Sequence, residues 1–113
     1  MTIEELKAYG ADTDAGLQRC MNNESFYLRL VKMIPGDDNF RKLKEALEGG
    51  NLDAAFEAAH ALKGSSGNLA LTPIYVPVNR MTDLLRARTR TDYTEWLKAV
   101  LEARDRLQAI CGE

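Results

Sequence analysis

One histidine, two cysteines and three prolines in 113 residues leave little material for metal or disulfide chemistry. Cys20 and Cys111 stand near opposite ends, without CxxC spacing, and there is no second histidine to complete a zinc site. They read as two reduced thiols with no role of their own, and the chain is expected to hold no metal. The sequence also lacks a P-loop, a Gly-rich nucleotide loop and a paired carboxylate set for Mg²⁺, so kinase chemistry of its own is excluded. No apolar run approaches a membrane span, and the opening Met-Thr-Ile-Glu-Glu is not a signal peptide; the expectation is a cytoplasmic protein without a membrane partner. Charge of one sign is missing too. Fifteen basic residues face seventeen acidic ones, the net charge is −2 and the pI about 5.5, which argues against nucleic acid as a partner.

Strand signals are absent as well: there is no alternating run and no Asn-Gly or Asp-Gly hairpin turn. Repeats, low-complexity tracts and linkers are missing. With 45% hydrophobic and 28% charged residues, the chain has the composition of one ordinary globular domain over residues 1–113, able to bury a core without staples.

What is present is helical periodicity. Thr2 with Glu5 fits a capping box opening a short helix that Gly10 ends, and a second short helix is expected from about Asp14 to Met21. These form an N-terminal lid over residues 1–21, anchored by Leu6, Leu17 and Met21. The bundle should occupy 22–111. Asn22 or Asn23 caps a helix whose spine is Phe26, Leu30 and Ile34, widened by Tyr27 and Val31. Pro35-Gly36 interrupts it, leaving either one bent helix or two. Helix resumes near Asp38 with Phe40, Leu43 and Leu47 and stops at Gly49-Gly50. Asn51 starts another, ending near Leu69 or Leu71. Thr72-Pro73 reads as N-cap and first helical residue of the next, with Ile74, Val78, Met81 and Leu85 inward and Pro77 distorting its start. The last helix follows Thr91, with Trp96, Val100, Ala103, Leu107 and Ile110 inward. Links of two to four residues make the later helices antiparallel neighbours. The fold class is all-α: an antiparallel four-helix bundle with short N-terminal helices packed at one end.

The stretch from Ala59 to Leu71 holds the lone histidine, His60. Lys63, Gly64 and Gly67 follow at three, four and seven residues, offsets that share one helix face. The apolar stripe Leu52, Ala55, Phe56, Ala59, Leu62, Ser66 and Leu69 lies beside them, which sets His60 at the border of core and solvent. Each helical glycine costs about 1 kcal/mol relative to alanine. Two of them beside a histidine have either a packing reason or a functional one, and the functional one is close approach of another molecule to the backbone.

His60-Ala61-Leu62-Lys63-Gly64-Ser65-Ser66, with Leu69 after it, closely resembles the signature of histidine-containing phosphotransfer (HPt) domains. One position departs: Ala70 stands where that family usually has glycine. The resemblance implies that His60 accepts a phosphoryl group, on Nε2, from a receiver-domain aspartyl phosphate. It implies that Lys63 assists the phosphoryl group and that Gly64 permits access. Ala61, Gly67 and Asn68 are the nearby candidates for partner contact. The partners implied are response-regulator receiver domains, with a hybrid histidine kinase as a further one. Mg²⁺ and the catalytic carboxylates belong to the receiver, so no cofactor is expected in this chain. It starts at Met with no kinase or receiver attached, so a free-standing relay protein is expected, and a module whose active face must stay open is expected to be a monomer.

The residues by themselves support that chemistry. A neutral imidazole is a good nucleophile near pH 7, and Lys63 brings a cation within one turn. Two other functions stay open at this stage. One is a helical interaction module that binds a receiver or kinase without carrying phosphate. The other is an enzyme with its own turnover, against which the missing nucleotide and metal machinery speaks. The basic cluster Arg80, Arg86, Arg88 and Arg90 reads as helix-end charge and solvated surface, with secondary docking as the lesser reading.

Overall fold

The computed structural model describes residues 1–112, which form seven helices and no strand. They are α1 (Ile3–Tyr9), α2 (Thr13–Arg19), α3 (Glu24–Met33), α4 (Asn39–Glu48), α5 (Leu52–Asn68), α6 (Thr72–Arg86) and α7 (Thr94–Cys111).

Local chemistry fixes most of the helix starts. Thr2 and Glu5 exchange side-chain and backbone hydrogen bonds in the capping box at α1, and Gly10 closes that helix at φ +117°, a conformation glycine adopts freely. Asp12, Asn23 and Asn51 each accept a bond from the backbone N–H three residues on, opening α2, α3 and α5. Proline sets the break between α3 and α4. Pro35 has no N–H to give, and the helix stops at Met33 and restarts at Asn39, so the two segments are separate helices.

Packing decided what local chemistry left open. Along α3 the fully buried positions are Tyr27 and Val31, with Ile34 after them, while Phe26 and Leu30 are half-buried. The face is thus turned by one residue from the expected spine, because the Tyr27 hydroxyl donates to the Leu69 carbonyl inside the core at 2.8 Å. Met21 is not an anchor. The second helix ends at Arg19, Met21 and Asn22 both turn left-handed, and Met21 is 83% exposed. Thr72 is the first residue of α6 and not its cap; Leu71 holds the N-cap position and Pro73 sits second. Pro77 lies inside α6, which runs through it unbroken.

α5 is the central helix, packed against α4 on one side and α6 on the other, and α6 packs in turn on α7. Three-residue links, 49–51 and 69–71, turn the chain back at either end of α5. The link from α6 to α7 is longer than expected, seven residues over 87–93, and is held by a bond from the Tyr93 hydroxyl to the Thr89 carbonyl. Leu43, Leu62, Ile74, Met81, Val100 and Leu107 fill the interior without solvent exposure. Each such side chain contributes roughly 1.5–3 kcal/mol by burial. α1 lies on α7, where the Tyr9 hydroxyl donates to the Ala103 carbonyl and Arg106 donates to the Tyr9 carbonyl. α2 packs between α1 and α3 and so reaches the C-terminal end of α5.

Candidate functional site

The seventeen residues of α5 turn Ala55, Ala58, Ala59, Leu62 and Ser66 into the core. The small side chains let neighbouring helices come close, and the Ser66 hydroxyl donates back to the Leu62 carbonyl, so nothing polar is left bare there. His60 falls next to this face and is exposed. Its ring is braced from one side only, by the ring of Phe56 one turn earlier, at 5.6 Å between centroids and 22° between planes. Phe56 in turn carries the guanidinium groups of Arg86 and Arg88, 5.6 and 5.0 Å from its centroid. Arg88 is tied down by a 2.6 Å bond to Asp53 on α5, and Arg86 pairs with Asp83. Half of the basic cluster noticed in the sequence thus buttresses the helix turn before His60.

On the other side of His60 the surface opens into a cavity of ≈ 630 Å³. His60, Lys63, Gly64, Gly67 and Asn68 line one wall of it, so the stripe read from the sequence is brought together in space. Ala61 is exposed and lies outside this cavity. The opposite walls come mainly from residues outside the motif: Asp12, Ala15 and Arg19 around α2, and Thr72 and Tyr75 of α6, with Ala70 of the motif in the link between α5 and α6. Lys63 is half-buried and forms no ion pair among the described residues, which leaves its ammonium free to meet an anion. Asn68 also borders a neighbouring groove lined by Leu30, Met33, Ile34, Asp37, Ser65 and Leu69, where Met33 is 67% exposed.

The two glycines of the stripe have different reasons. A Cβ on Gly64 would meet nothing within 4 Å, so the space above its backbone is open to an incoming molecule. A Cβ on Gly67 would stand 2.9 Å from the Tyr75 ring, so that glycine admits an aromatic side chain of the same protein. Close packing accounts for Gly67 and leaves Gly64 unexplained by the fold.

The helix ends in a feature that glycine would serve better. Ala70 has φ +57°, the left-handed turn in which a Cβ is strained, and its carbonyl accepts from the Asp12 backbone N–H. That turn directs the chain into α6 and ties α5 to the residue capping α2. Nearby, burial pushes the Tyr27 phenol up to about 12, and its hydroxyl keeps its proton for the Leu69 carbonyl.

Arg19, Tyr75 and Phe56 are the site residues that the sequence reading missed. Phe56 carried a signal, since four residues before His60 on a helix is a neighbouring position. Arg19 and Tyr75 reach the site through tertiary packing and carried none. Among the described residues no group of three His, Cys, Asp or Glu is placed to hold a metal ion, and no helix is long and apolar enough to cross a membrane.

A family model, that of the Hpt domain, matches residues 36–111, which takes in α4 to α7 and the whole His60 stripe. No curated protein and no solved structure matches the chain.

Proposed function

The chain belongs to the Hpt domain family, and we propose that it takes a phosphoryl group onto His60 from one receiver domain and passes it to another. Hpt domains are phosphocarrier modules that work with receiver domains and kinases in phosphorelays. The finer assignment rests on one observation above the rest: the only histidine of the chain is exposed at the edge of a cavity, beside a Lys63 without an ion pair among the described residues and the open backbone of Gly64.

The transfer balances without a cofactor in this chain. The lone pair of His60, on Nε2 by the family resemblance, attacks the phosphorus of the receiver's aspartyl phosphate in line. The N–P bond forms as the P–O bond to the aspartate breaks, and the receiver's carboxylate leaves with the electron pair. Negative charge spreads over the equatorial oxygens during this exchange, and the Lys63 ammonium is one turn away to meet it. Mg²⁺ held by the receiver's carboxylates would supply the remaining charge relief. Phe56 limits the swing of the imidazole, which favours a near-attack orientation. Transfer to a second receiver runs the same steps backwards. The cleared backbone at Gly64 lets the receiver's active site close over His60, and the groove at Leu30 and Met33 offers apolar ground for its packing.

The reading is tested by incubating the protein with ATP·Mg²⁺ alone and then with a phosphorylated receiver domain. Labelling should occur only in the second case, as an acid-labile and alkali-stable phosphohistidine. Labelling by ATP·Mg²⁺ alone would make the protein an enzyme and end this reading. Stable binding to receivers without any label would make it an interaction module.

A further inference from the structure

α2 lies outside the residues that match the Hpt domain, yet it builds one wall of the His60 cavity. Its contribution is charged and held in place. The Arg19 side chain is exposed, and its Nη1 donates to the Gly67 and Asn68 carbonyls in the last turn of α5. A cation is favoured at that end of a helix, because the carbonyl groups there have no partners within the helix. Arg19 forms no ion pair among the described residues, and its Nε and Nη2 donors are unengaged. Asp12, the acidic residue on the same wall, uses Oδ1 to cap the Ala15 N–H.

Distance decides what this guanidinium can meet. From His60 to Gly67 the helix rises about 10 Å, and helical side chains lean toward the N-terminus, which carries the imidazole away from Arg19. A phosphoryl group on His60 is therefore within reach of Lys63 and beyond reach of Arg19. The gap is also longer than the screening length of about 8 Å at physiological salt. Between the two positions lie the open backbone of Gly64 and the flush contact of Gly67 with Tyr75, a low floor over which another protein can sit.

We infer that Arg19 is a docking cation: it pairs with an acidic side chain that the receiver carries at a distance from its phosphorylated aspartate, about 10 Å or more away. This rests on the relay reading given above and adds to it the charge that this surface selects for. The pinned guanidinium has little side-chain freedom left to lose on binding, and its remaining donors match a carboxylate in geometry. The competing explanation is that Arg19 only caps α5 and fastens α2 to it.

Two phosphate donors separate these roles. Phosphoramidate phosphorylates histidine without docking; receiver domains of the same organism, charged with acetyl phosphate and Mg²⁺, need the surface. Phosphoramidate should label wild type, Arg19→Lys, Arg19→Gln and Arg19→Glu at the same rate. Transfer from the receivers, below saturation, should fall about tenfold in Arg19→Gln and further in Arg19→Glu, with most of it kept in Arg19→Lys. Melting curves establish that each variant is folded at the assay temperature. A folded Arg19→Glu that accepts phosphate from receivers at the wild-type rate overturns the inference, as does an equal loss with both donors. Wild type that takes no phosphate from any receiver overturns the relay reading itself, whatever Arg19 does.

Discussion

Phe56 and His60 face each other one helical turn apart, ring on ring, with their centroids 5.6 Å apart. The contact ties the lone histidine of the protein to a residue that also packs against the core. Behind Phe56 stand Arg86 and Arg88, the latter fixed to Asp53, so the brace itself is braced. Replacing Phe56 by Leu keeps the apolar volume and removes the stack. His60 labelling by phosphoramidate should then slow about tenfold through lost orientation, while Phe56→Tyr stays near wild type. The His60 ring protons should move downfield in NMR spectra of Phe56→Leu as the ring current disappears. Unchanged ring shifts and an unchanged rate would leave Phe56 as a core residue only.

Gly64 and Gly67 should part company under the same substitution. Gly64→Ala fills open space on a helix and should stabilise the fold by about 1 kcal/mol, while slowing transfer from receivers because the new methyl stands where they approach. Gly67→Ala drives a Cβ against Tyr75, and overpacking of roughly 1–3 kcal/mol should cancel or exceed the helical gain. Thermal melts of both variants give the answer. A Gly64→Ala protein that is more stable and just as fast with receivers would remove the access argument.

Ala70 sits in the left-handed turn at the end of α5. Ala70→Gly should raise stability by about 1 kcal/mol, the strain of the Cβ outweighing the entropy that glycine adds to the unfolded chain. The same change at an exposed helical position, such as Ala99→Gly in α7, should lower stability by a similar amount. Denaturant curves on the pair check the sign. A drop for both would mean that the turn holds no strain.

The Tyr27 phenol has a pKa raised by burial from 10.0 to about 12. The folded state therefore holds its proton more tightly than the unfolded chain does. This stabilisation is complete below pH 10 and is lost as the pH climbs from about 10 to 12, where only the unfolded chain ionises. Over that window the loss from this group should reach roughly 2–3 kcal/mol. Tyr27→Phe, less stable at neutral pH for want of the bond to Leu69, should show a shallower decline. Equal slopes for wild type and Tyr27→Phe would assign the alkaline loss elsewhere.

Features written over three or four adjacent residues were legible in the sequence, and those made by distant ones were not. The caps at Thr2 and Asn51, and the stop at Gly10, depend on neighbours along the chain and emerge where the residue types place them. So does the His60–Lys63–Gly64 stripe, because helical periodicity alone puts it on one face. On α3 two adjacent stripes are apolar, Phe26–Leu30 and Tyr27–Val31, and only the reach of Tyr27 to Leu69 chooses between them. Met21 was hydrophobic enough for an anchor, but the left-handed turn at Met21–Asn22 throws it outward. Gly67 looked like Gly64 until the Tyr75 ring, brought in by α6, filled the space above it. Arg19 sits 48 residues from the carbonyl it binds, too far for any local pattern to signal.

The most direct test of the relay role of His60 is transfer from a phosphorylated receiver domain to wild type and His60→Gln side by side. A folded His60→Gln that binds the receiver but stays unlabelled, beside a wild type carrying acid-labile, alkali-stable phosphate, is the predicted result. Label of equal amount on both proteins, or on neither despite binding, would contradict it.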